Sequence, residues 1–246
     1  MNAASPVRLG FLVPPGNPTT EPEVFRLAPA GVTVHFHRMF LAGGEPGSHR
    51  GQEERNRQQA QHMEESARLL AMVKPAVMVM AHTATSYTLG IDGEAAMVAK
   101  IEQATGIPFI TAFGSVVAAL AHLRVKRVAL ATPYAREWTL RGKAHLEAHG
   151  IDVASWGHLD DVSNIYDETP ERAYGLARSV DVPQAQAVFL SGVGMPTLEV
   201  LGRLERDLGK PAISSCSAMM WNALRVAGIT AGVTGFGRLL EGGGSK

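Results

Sequence analysis

The residues best placed to do chemistry stand in two short runs, each directly after an apolar segment. Val77-Met78-Val79-Met80-Ala81 is followed by His82, Thr83, Thr85, Ser86, Tyr87 and Thr88, which supply one imidazole, four hydroxyls and a phenol. Ala187-Val188-Phe189-Leu190 is followed by Ser191, Gly192, Val193, Gly194 and Thr197. An unbroken apolar run of this length reads as a fully buried parallel strand, and in α/β sheets ligands bind beyond the carboxyl ends of the strands. Backbone N–H groups clustered there suit carboxylate or phosphate oxygens. The expectation is a small ligand held between two facing strand ends.

The elements that must position these runs follow an alternating pattern of short β-branched segments and helix-like segments, which indicates parallel α/β sheets. Val7 to Val13 is a strand, and Pro14 to Thr20 is a turn-rich loop into a helix whose early Glu21 and Glu23 suit its dipole. Val32 to Arg38 alternates as a second strand. Ala42 to Gly51, with four glycines and a proline, is expected to be a mobile loop over a site. Asn56 to Met72 predicts a polar-faced amphipathic helix. A further helix is predicted around Glu94 to Ala104, stopped by Gly106 and Pro108.

The pattern then restarts. Arg8 stands against Arg127 and Gly31 against Gly150, both at an offset of 119 residues, while Pro108 stands against Pro211 at 103. Two α/β units of about 115 to 120 residues are expected, with shorter loops in the second. The boundaries are placed at residues 1–124 and 125–240, with the C-terminal helix packing back on the first lobe and 241–246 forming a flexible tail. On this scheme His82 and Gly192 occupy equivalent places on opposite walls of one cleft.

Charge is balanced, at 23 Lys+Arg against 23 Asp+Glu, which argues against nucleic acid and anionic membranes as partners. No apolar run approaches the roughly 20 residues that a bilayer needs, and Met1 to Pro6 has no signal-peptide core, so a cytoplasmic protein is expected. Self-association into a homo-oligomer is left open. One cysteine, Cys216, excludes an internal disulfide and any multi-cysteine metal site. His35 and His37 alternate on one strand without partner carboxylates and read as half-buried strand residues. Gly192-Val193-Gly194 lacks the third glycine of a dinucleotide fingerprint, and no Walker-type loop is present.

Several pieces resemble the aspartate/glutamate racemase superfamily, in its branch of maleate cis-trans isomerases and arylmalonate decarboxylases. They are Asn17 with Glu21-Pro22-Glu23, Ala131-Thr132-Pro133-Tyr134, Ser163-Asn164, Thr197-Leu198-Glu199, and Pro211-Ala212-Ile213-Ser214-Ser215 followed by Trp221-Asn222-Ala223-Leu224-Arg225. The resemblance implies two Rossmann-like lobes related by a pseudo-twofold axis and cofactor-free chemistry at a carbon next to a carboxylate, with a cysteine on each face of the substrate. It implies that Asn17, Tyr134 and Asn164 hold carboxylate oxygens, with backbone N–H groups offered by Thr83 and Val193.

This chain departs from that pattern where the two cysteines belong, having His82 in one place and Gly192 in the other. Addition of a thiolate to a double bond needs a nucleophilic cysteine there, and two-base racemization needs a proton carrier on both faces. The expectation left is one-sided proton transfer by His82, in a cofactor-independent lyase or isomerase of a small (di)carboxylic acid, with malonate-type decarboxylation favoured. Two alternatives stay open: a carboxylate-binding or regulatory protein without catalysis, and a hydratase or hydrolase in which His82 activates water.

Overall fold

The computed structural model describes residues 5–242; the expected tail falls largely outside them. Its two parallel four-stranded sheets have matching strand orders. The first sheet, ordered β2-β1-β3-β4, is built from β1 (Val7–Val13), β2 (Val32–Arg38), β3 (Val77–Met80) and β4 (Phe109–Thr111). The second, ordered β6-β5-β7-β8, is built from β5 (Arg127–Thr132), β6 (Asp152–His158), β7 (Ala187–Leu190) and β8 (Ala212–Ser214). Register follows the internal repeat: Val7 pairs with Val32 at the start of the first sheet and Arg127 with Asp152 at the start of the second. All four residues of β3 and of β7 are buried, as near-continuous apolar strands in a two-sided parallel sheet must be. His35 and His37 are half-buried on β2.

Helices cover both faces of each sheet. In the first half these are α1 (Thr20–Leu27), α2 (Gln52–Gln61), α3 (Met63–Ala71), α4 (Thr83–Thr105) and α5 (Ala112–His122). In the second they are α6 (Arg136–Ala148), α7 (Pro170–Val180), α8 (Leu198–Leu208) and α9 (Ser215–Val226), with a 3-10 turn at Ile165–Asp167. The equivalent helices α5 and α9 pack against each other across the axis, where Asn222 Nδ2 donates to Ser115 Oγ at 3.1 Å. One apolar core runs through both lobes, from Leu9, Phe11 and Val24 to Leu190, Leu201 and Met219.

Two helices differ from the sequence expectation. The single helix expected over 56–72 begins earlier and breaks at His62, because its two halves bury different faces: α2 turns polar Gln52, Asn56 and Gln59 inward, whereas α3 buries Met63, Ala67 and Leu70 against the sheet. The polar run after β3 is helical from Thr83 onward, with a kink at Gly90 (φ 68°, ψ 179°) separating it from the expected 94–104 segment. Hydroxyl-rich sequence favours caps and turns in isolation, and tertiary burial overrides that preference here.

The lobes are also joined by a buried carboxylate. Glu23 on α1 accepts from the backbone N–H groups of Thr197 and Leu198 at 2.7 and 2.8 Å, capping α8 of the other lobe. Burial pushes its pKa up, and these two N–H bonds pull against that rise. Glu23→Ala leaves both N–H groups unpaired and is expected to cost roughly 1.5 to 3 kcal/mol of stability, read from the urea midpoint at constant slope. An unshifted midpoint would show that the cap contributes nothing.

Candidate active site

A cleft opens where the lobes meet, spanning about 400 Å³ of space between atoms with open solvent included. Its floor includes Pro15 after β1, His82 after β3 and Tyr134 after β5. The segment 42–51 lies over it and is pinned to the second lobe. Asn164 Nδ2 donates to the Pro46 carbonyl at 3.0 Å, the Ile165 N–H donates to the Gly47 carbonyl at 3.1 Å, and His49 Nε2 donates to the Pro133 carbonyl at 3.2 Å. Gly47 permits this closure: its φ is +79°, and a β-carbon there would stand 2.0 Å from Asn164 Oδ1. The side of the cavity is α2, which presents Gln52, Arg55, Asn56 and Gln59.

His82 is the N-cap residue of α4, and its Nδ1 lies 2.8 Å from Thr85 Oγ1. No other acceptor takes the Thr85 hydroxyl proton among the described residues, so we assign that proton to Nδ1, which leaves Nε2 carrying the ring proton. Burial, and secondarily the Arg55 guanidinium, depresses the His82 pKa to about 4, so the imidazole is neutral at neutral pH. Burial raises Tyr134 well above the usual phenol range and Tyr166 to about 12, so both hydroxyls are protonated donors. Arg55 is held by the carbonyls of Ser48 and Arg50. Among the described residues, no Asp or Glu lines the cavity.

Gly192 follows β7 as His82 follows β3, and two facts favour glycine there. Its φ is +98°, and a β-carbon would come within 3.0 Å of Tyr134 Oη and 3.2 Å of Pro133 Cγ. Its N–H donates to Ser215 Oγ at 3.1 Å, and Thr83 Oγ1 donates to the same oxygen at 3.0 Å, so the two strand ends are in contact. Tyr87 and Ser191 make a second link, with their hydroxyls 2.8 Å apart.

Of the residues singled out in the sequence, His82 and Tyr134 line the cavity directly. Thr83, Gly192 and Val193 form the buried seam behind it. Asn17 and Asn164 differ from the expectation of free carboxylate-binding amides. Asn17 Oδ1 accepts from the N–H groups of Thr19 and Thr20, starting α1, while its Nδ2 reaches the Val193 carbonyl at 3.1 Å across the lobes. Asn164 Oδ1 caps the 3-10 turn through the Tyr166 N–H at 2.9 Å, leaving Nδ2 for the covering segment. Short polar side chains at strand ends satisfy local N–H groups first. Sequence reasoning missed Arg55, His49, Gln52, Gln59 and Tyr166. The signal for the α2 set was present, as polar residues at 52, 55, 56 and 59 share one helix face.

Cys216 is 1% exposed in the shared core beside Glu23, away from the cavity. Burial, with Glu23 nearby, raises its pKa well above the usual thiol range.

A family model described as arylmalonate decarboxylase matches residues 9–240. Arylmalonate decarboxylase of Bordetella bronchiseptica is 31% identical over 187 residues, covering 71% of this chain and 75% of that one. Maleate isomerase of Nocardia farcinica is 34% identical over 131 residues, so this chain spans about half the length of that relative, 52%. The crystal structure of a cysteine-to-alanine variant of the maleate isomerase Iso from Pseudomonas putida S16 with maleate superposes with a TM-score of 0.87 at 25% identity, covering 96% of this chain and 98% of the other. The chain belongs to the arylmalonate decarboxylase family.

The histidine leads to a stability prediction. An unfolded histidine protonates near 6.5 and His82 in the folded protein near 4, so between these values the unfolded state holds the extra proton. Stability therefore falls as pH falls from 6.5 to 4, with His82 contributing on the order of 3 kcal/mol across the window and His49, also lowered by burial, acting in the same direction. Urea unfolding across this range should show a shallower pH slope in His82→Asn than in the wild type; equal slopes would contradict the desolvated site.

Proposed function

We propose that the protein is a cofactor-independent lyase or isomerase of a small carboxylic acid, working by proton transfer from one face, with decarboxylation of a malonate-type acid as the favoured form. The observation that carries this reading is the cavity wall, which among the described residues holds one guanidinium, neutral imidazole and phenol donors, and neither a carboxylate nor a thiol. Such a wall attracts an anion and offers hydrogen bonds as charge develops on it. Family membership supports the class, since the relatives carry the names arylmalonate decarboxylase and maleate isomerase. Between the two, decarboxylation is favoured: the thiol lies in the core, and Gly192, at the equivalent strand end to His82, carries no side chain.

In that reaction the bond from the α carbon to one carboxyl carbon breaks. Its electron pair stays on the α carbon and spreads over the remaining carboxylate as an enediolate, while carbon dioxide leaves. The donor for the enediolate oxygens on the cavity wall is the Tyr134 hydroxyl, with the N–H groups of Thr83 and Val193 in the buried seam behind it. The His82 imidazolium then gives its proton to the carbon, and water restores it. Asn17 and Asn164 act as positioning residues. The bound dianion has to raise the His82 pKa for this step, opposing burial and Arg55.

The test is turnover of malonate-type acids in heavy water, with deuterium delivered to one face only and no racemization. Because the free imidazolium is a minor species above pH about 4, kcat/KM should fall about tenfold per unit as pH rises from 6 to 8. His82→Asn should lower turnover about 10²- to 10⁴-fold with little change in affinity, whereas Cys216→Ser should stay within about twofold. Loss of activity in Cys216→Ser with His82→Asn intact would mean that the chemistry is thiol-based.

A further inference from the structure

Resting on that reading only for which carbon reacts, we infer that Gln52 and Gln59 on α2 form a subsite for a neutral hydrogen-bond donor. The acid this protein takes then carries a hydroxyl on the substituent of the reacting carbon.

The α2 wall is built and incompletely satisfied. Gln52 is 7% exposed and Gln59 4% exposed, both line the cavity, and the Oε1 atom of each is buried without a hydrogen-bond partner among the described residues. About two turns apart on one helix, they lie on the same face. Buried amides are normally paired, and an acceptor withdrawn from water without a partner bears the full cost of its lost hydration. The other amide on this wall has no such vacancy: Asn56 Nδ2 donates to the Ala84 carbonyl at 3.1 Å and to Thr88 Oγ1 at 2.9 Å. Asn17 and Asn164 likewise spend their side-chain oxygens on the N–H groups of Thr19, Thr20 and Tyr166.

Atom type decides what completes the pair. An amide oxygen accepts, so the ligand has to give a proton; a carboxylate is repelled there, and a hydrocarbon leaves both acceptors open. A cationic donor is disfavoured by Arg55, which stands between the two glutamines on the helix and lines the same cavity. A hydroxyl is the smallest neutral donor that remains. Its oxygen also accepts, from the carboxamide N–H of the same side chains, so it fits each amide in either orientation about its terminal bond.

The experiment is calorimetric titration of the full chain with two matched pairs of malonates, each differing only in a hydroxyl for a methyl: hydroxymethylmalonate against ethylmalonate, and para-hydroxybenzylmalonate against para-methylbenzylmalonate. The shorter and longer arms test both depths of the subsite. In at least one pair the hydroxyl member should bind about fivefold or more tightly than its methyl partner. Gln52→Leu or Gln59→Leu should abolish that preference, weakening the hydroxyl member by about fivefold while leaving the methyl member unchanged or tighter. Binding of the methyl member also shows that the variant is folded. Equal or tighter binding of the methyl member in both pairs overturns the subsite, and so does a preference that survives in both variants. Carbon dioxide release is followed in parallel. A binding preference without product would refute the reaction and leave the subsite standing; product without a preference would do the reverse.

Discussion

One buried hydroxyl ties the two equivalent strand ends together. Ser215 Oγ accepts both the Thr83 hydroxyl proton and the Gly192 N–H, and so ties the carboxyl end of β3 to that of β7 inside the protein. Gly192 leaves the second strand with a φ of +98°, and a β-carbon there would stand 3.0 Å from the Tyr134 hydroxyl. The asymmetry of the site follows. Two equivalent strand ends, produced by the same topology, present an imidazole on one side and a bare backbone beside a phenol on the other.

Burial then sets the chemistry of what remains. The covering segment, pinned through Asn164, His49 and the Ile165 N–H, limits solvent around His82, Tyr134 and Arg55. Desolvation disfavours every charged form, so the imidazole stays neutral and the phenols stay protonated. Arg55 remains as positive charge on the wall. On the proposed reading, an anion in the cavity would pair with the guanidinium and draw a proton onto His82.

Much of the fold is legible in the sequence because its signals are local. Apolar β-branched runs such as Val7–Val13 and Ala187–Leu190 can be strands and little else, and the recurrence of Arg8 at Arg127 and Gly31 at Gly150 gives the duplicated topology. His82 and Tyr134 were legible from their place at strand ends. The α2 residues share one polar face in the sequence, but that face reads as an ordinary solvated one until tertiary structure buries Gln52, Asn56 and Gln59. Asn17 and Asn164 are ambiguous for a related reason: the same amide chemistry serves a ligand or a helix start, and only geometry decides between them.

The central claim is that His82 is a desolvated, neutral imidazole that an acid ligand converts to its charged form. The most direct measurement is a nuclear magnetic resonance titration of the His82 ring in protein with isotope-labelled histidine, first free and then saturated with a non-reacting dicarboxylate. The account predicts a free ring that stays neutral down to about pH 4 and, in the complex, a midpoint displaced upward. A free His82 that titrates near 6.5, with no change when the acid binds, would contradict it.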